Sequence, residues 1–205
     1  LVYKVGIKPQ IVTGMLIMAG GFFLLTTLDL HTSKLVATSY MAIIGLGMGL
    51  VMPILTLALQ ESFSKEELGV VTSSSQFFRS IGGTFGITIL GAIMNAKSGT
   101  LLTDKLVPYL NSLPAQASAF ADGFKKAIDT NPESVLQMLF SPEALKSIPA
   151  ALSDSIVPIL KTSLMSALHS VFFMGLAFII LGAVCTLFLR QIKLSNKKAE
   201  EKPEE

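Results

Sequence analysis

The chain has 205 residues, 51% of them hydrophobic and 15% charged, with a mean hydropathy of +0.63, no Trp and a formal net charge of +2. That balance places it with integral membrane proteins rather than soluble domains, and so weak a positive charge argues against a nucleic-acid partner. A single cysteine, Cys185, lies in an apolar run and excludes an internal disulfide framework or a cysteine-rich metal site.

The chain opens at Leu1 without an initiator Met, and Lys4, Gly6, Lys8 and Pro9 form a short basic lead-in. An apolar run over residues 10–28 follows. It is longer than the apolar region of a signal peptide and lacks an A-x-A-like cleavage site, so a first transmembrane helix of an internal or truncated piece is expected. Asp29 closes this span, and His31 and Lys34 sit in a short loop. Asp29 and His31 have too few neighbouring ligands for a metal role.

Residues 39–95 read as a membrane hairpin. Residues 35–60 carry no charge and exceed the roughly 20 apolar residues that cross a bilayer, which predicts a second span over about 36–60. The segment ESFSKEELG forms a hydrophilic turn, and a third span is expected over about 70–95. Gly45 and Gly49 make a small-xxx-small pair on one arm, and Gly82, Gly83 and Gly86 provide the same device on the other. Such spacing lets helix backbones approach closely in lipid, where van der Waals contact drives association. Pro53, one turn after Gly49, removes a backbone hydrogen bond and predicts a kink suited to a moving part.

Residues 97–162 have a different character. Charges of both signs appear, and Pro108, Pro114, Pro132, Pro142, Pro149 and Pro158 are expected to break any continuous helix. A long non-membrane loop is expected, with short amphipathic helices over 117–129 and 132–140, where Phe120, Phe124 and Ile128, then Val135, Leu136 and Leu139, recur at helical spacing. The last span is expected over 163–190. His169 near its entry end reads as a structural histidine at the interface, with a proton-relay role as the alternative. Residues 191–205 form a charged tail.

Basic residues near the span ends, including Lys4, Lys8, Lys65 and Arg190, place both termini and the 61–69 turn in the cytoplasm. Arg79 is the one charge within the hairpin arms. On a helix it shares a polar, small-residue face with Thr72, Ser75, Gln76, Gly82, Gly83 and Gly86, opposite Phe77, Ile81, Phe85 and Ile89. Depending on where the span begins, Arg79 lies halfway into the hydrocarbon or snorkels to the cytoplasmic interface.

The segment GLGMGLVMPILTLALQ, a polar turn with Gly69, and SSSQFFRSIGGTFGITILGAIM resemble the penultimate helix pair of the fourteen-helix drug/proton antiporter branch of the major facilitator superfamily, the EmrB/QacA type. The resemblance covers residues 1–96 and reaches the last span by position. It implies an all-α integral membrane fold in which these four helices are the C-terminal part, residues 97–162 are an extracytoplasmic loop, and the location is a bacterial plasma membrane. It further implies a C-terminal portion of an exporter that exchanges protons for lipophilic, often cationic, compounds by alternating access. No cofactor is implied, the energy source being the proton gradient; the partners are the bilayer, a small lipophilic substrate and the missing N-terminal helices. Arg79, Gln76, Gln60 and Pro53 are the substrate or gating candidates.

The family's glycine-proline antiporter motif is missing here, and no Asp or Glu lies inside a span, so the chain is not expected to transport alone. An alternative is a self-standing four-span scaffold with the long loop as its interaction module. An enzyme is not expected: no nucleophile with a base, carboxylate pair or metal cluster is apparent.

Overall fold

The computed structural model describes residues 6–188, which are helical with no strands. The charged tail, Lys4 and Arg190 lie outside the described residues. The helices are α1 (Ile7–Leu25), α2 (Lys34–Ser62), α3 (Leu68–Asn111), α4 (Ser118–Thr130), α5 (Pro132–Gln137), α6 (Pro142–Lys146) and α7 (Ala150–Leu187), with 3-10 turns at Ala115–Ala117 and Met138–Phe140. Four of them, α1, α2, α3 and α7, are long and apolar enough to cross a membrane.

Two compact units divide the chain. One takes in Lys34–Phe85 with the described parts of Leu1–Leu25 and Gly175–Glu205; the other takes in Thr26–Ser33 and Gly86–Met174.

In the first unit, α1 and α2 pack antiparallel, because Gly14 meets Val51 while Gly21 meets Ile44. The core between them is Ile7, Ile11, Val51, Ile54 and Ala58, flanked by Met15, Met18 and Leu55. Glycine allows this approach: a Cβ on Gly47 would stand 2.7 Å from the Gly14 carbonyl oxygen and 2.8 Å from the Met18 nitrogen. The C-terminal part of α7 lies along α1, where Phe22 covers Gly175 and Met15 reaches Gly182. Lys8 Nζ donates to the Leu187 carbonyl, one of the acceptors that a helix end leaves without an intrahelical donor. The turn between α2 and α3 carries half of a capping box, in which the Ser64 N–H and hydroxyl donate to the Glu67 carboxylate at 3.2 and 3.1 Å.

The second unit has its own core. Leu102, Leu106 and Leu110 of α3, Ala121, Phe124 and Ile128 of α4, Val135 and Leu136 of α5, and Ile156 and Leu160 of α7 are buried together with Ile148. The small helices begin with one grammar. In Asn131-Pro132-Glu133-Ser134 and Ser141-Pro142-Glu143-Ala144, a capping side chain accepts the N–H three residues on and proline takes the first helical position.

Two prolines overturn an expectation. Pro108 and Pro158, expected to end helices, lie inside α3 and α7. Each sits on an exposed face four residues after an exposed aspartate, Asp104 or Asp154, so water can take the carbonyl that loses its N–H partner. On the opposite faces, burial of Leu102, Leu106 and Leu110, or of Ile156 and Leu160, offsets the roughly 3 kcal/mol that an interior proline costs. The third span therefore continues as helix past residue 95 to Asn111, and α7 begins before residue 163, at Ala150. At 44 and 38 residues they are about 66 and 57 Å long, roughly twice the thickness of a hydrocarbon core.

Candidate functional site

Helical spacing separates two faces of α2. Gly47, Val51, Ile54 and Ala58 are buried against α1, whereas Gly45, Gly49, Pro53, Thr56 and Gln60 form an exposed stripe at intervals of three and four residues. Two gating candidates, Pro53 and Gln60, and the Gly45/Gly49 pair thus share one face. A Cβ on Gly45 or Gly49 would meet nothing within 4 Å. The tight contacts fall on Gly14, Gly21, Gly47 and Gly175 instead. Sequence signals for these existed only in part: Gly14 and Gly21 are one heptad apart, and Gly47 lies about 200° around the helix from Gly45, which turns it to the other side.

Beside that stripe, Ile17 of α1 and Ala42, Gly45, Leu46, Gly49 and Leu50 of α2 line an open groove of about 710 Å³, within the size range of small-molecule sites. Its lining holds no charged side chain. It can accept an apolar body or a helix ridge and has nothing with which to hold a proton or a metal. Groups of His, Cys, Asp and Glu able to bind a metal are absent among the described residues.

The first part of α3 exposes nearly all of its surface. Gln76, Arg79, Gly82 and Gly83 are exposed, Gly86 is half-buried, and Cβ atoms at the three glycines would meet nothing within 4 Å. Arg79 lies eleven residues after Leu68, about 16 Å along the helix. The one ion pair among the described residues, Lys125–Asp122 at 3.4 Å, lies elsewhere, so the Arg79 guanidinium makes none there. Phe77 packs edge-on against Phe78, with ring centroids 5.8 Å apart.

Residues 1–87 match the family model of the Major Facilitator Superfamily. The chain is 80% identical over 204 residues to the multidrug transporter protein MdtP of Bacillus subtilis (strain 168), an alignment covering all of this chain and 38% of that protein. It is 27% identical to a tetracycline resistance determinant of Streptomyces rimosus, covering 97% of this chain and 57% of the relative. A tetracenomycin C resistance and export protein of Streptomyces glaucescens is 26% identical, with coverage of 98% and 34%. The chain thus spans well under two thirds of the length of these curated relatives. No solved structure matches it. The family match and the relatives together support membership of the Major Facilitator Superfamily.

Proposed function

We propose that these helices are the C-terminal portion of a proton-coupled multidrug efflux transporter of the fourteen-helix type, exporting small lipophilic or cationic compounds across a bacterial plasma membrane by alternating access. On this reading the protein is a transporter and not an enzyme, and both ends of the chain lie in the cytoplasm. The similarity to MdtP over this whole chain supports the multidrug reading. The observation that carries it is the uncovered state of the candidate surface. The stripe Gly45, Gly49, Pro53 and Gln60, and the Gln76–Arg79–Gly82–Gly86 face, are built for close helix contact yet meet no side chain at their glycines. Their partners on this reading are the transporter's preceding helices.

Arg79 pairs with an acidic group on one of those helices and holds one state of the transport cycle, since a central arginine in hydrocarbon costs roughly 3 kcal/mol on insertion scales without a partner. The test is made in the full reading frame that encodes these residues. Arg79→Ala is expected to reduce efflux of a fluorescent lipophilic cation by at least about tenfold, equivalent to about 1.4 kcal/mol, at near-normal membrane abundance. Arg79→Lys is expected to keep part of the activity. Wild-type efflux in Arg79→Ala would remove the arginine from the mechanism.

A further inference from the structure

The second unit contains a pocket of about 510 Å³ that the transport reading does not use. Its walls are Met94 of α3, Leu164 and Leu168 of α7, and Phe140 of the 3-10 turn after α5. Against this apolar wall stands one charged side chain, the half-buried Glu133. Its Oε1 accepts a hydrogen bond of 3.1 Å from Gln137 Nε2, a neutral donor. The described ion pair is elsewhere, at Lys125 and Asp122.

We propose that this pocket binds a small amphipathic organic cation, its apolar body against Met94, Leu164 and Leu168 and its charge on Glu133. A carboxylate partly removed from water beside apolar surface gains from a cation that can shed its own hydration, which a lipophilic onium ion does more readily than an ammonium or a metal ion. Phe140, 73% exposed at the rim, adds an aromatic face for the same charge. The flexible thioether of Met94 adapts to ligands of different shape. The volume falls within the range of small-molecule sites. Every residue invoked belongs to the second unit, so the site does not depend on Arg79 or on transport.

These 205 residues hold no Trp, so Phe140→Trp adds a local reporter at the rim, read as the difference between the variant and its parent protein. The full chain carrying it is reconstituted in discs of phosphatidylglycerol and titrated with tetraphenylphosphonium, then with the similarly shaped anion tetraphenylborate. A saturable fluorescence change is expected with the cation and not with the anion. Adding Glu133→Gln, which keeps the side-chain shape and an oxygen for Gln137, is expected to weaken cation binding by about tenfold with helical content unchanged. Equal affinity for both ions, or an unaltered affinity in Glu133→Gln, would overturn the proposal. A lipid ammonium headgroup has related chemistry, so the titration is repeated with phosphatidylethanolamine added. A reporter that responds to that lipid and not to tetraphenylphosphonium would also overturn it.

Discussion

His169 Nε2 lies 2.6 Å from the carbonyl oxygen of Leu28 and joins the last long helix to the turn that follows the first. A carbonyl can only accept, so the proton sits on Nε2, and in the neutral ring Nδ1 is the free acceptor. His169→Ala is expected to destabilise the protein by about 1 kcal/mol, the usual net worth of such a bond. Thermal unfolding in detergent would measure it, and nitrogen NMR of the imidazole would report the Nε2–H tautomer.

Neighbouring glycines of α2 should respond in opposite ways to the same substitution. Gly47→Ala drives a methyl against the Gly14 carbonyl and the Met18 nitrogen, which are backbone atoms that cannot swing aside. A loss of about 1–3 kcal/mol is expected, as for other overpacked contacts. Gly45→Ala enters open space and should stay within about 0.5 kcal/mol. Unfolding of the two variants side by side tests the contrast.

The core of the second unit and its prolines give a further pair. Leu106 is fully buried, and Leu106→Ala should remove about 2–5 kcal/mol. Pro108 is exposed and interrupts the α3 ladder, so Pro108→Ala is expected to raise the melting temperature. A fall in both would mean that the proline ring contributes packing of its own.

Topology is open to labelling. With Cys185→Ser as background, a cysteine replacing the exposed Ser64 should resist a membrane-impermeant thiol reagent in intact cells, whereas one replacing the exposed Ser118 should react. The reverse pattern would invert the assignment of the α2–α3 turn to the cytoplasm.

The long apolar elements were legible in the sequence because exclusion of charge is a one-dimensional property. The charge-free stretch over 35–60 lies within Lys34–Ser62. The helices in the polar segment were legible where apolar residues keep a 3.6-residue period, as at Phe120, Phe124 and Ile128. The reach of α3 and α7 was not, because Pro108 and Pro158 read as breaks until their exposure and the buried leucines and isoleucine opposite are known. The glycines show the same limit. Spacing picks out a face on which Gly45 and Gly49 lie together, but which face meets α1 depends on side chains of α1 such as Met18, distant in sequence.

The bond from Lys8 to the Leu187 carbonyl spans 179 residues of chain, which bears on how the protein is made. A ribosome delivers α1 long before α7 exists, so the lysine enters the bilayer surface without this acceptor. The contact can close only when the last helix has been released, making it a late event of biogenesis. A nascent chain arrested before Leu187 should therefore leave the α1 end more open to amide exchange than the finished protein does.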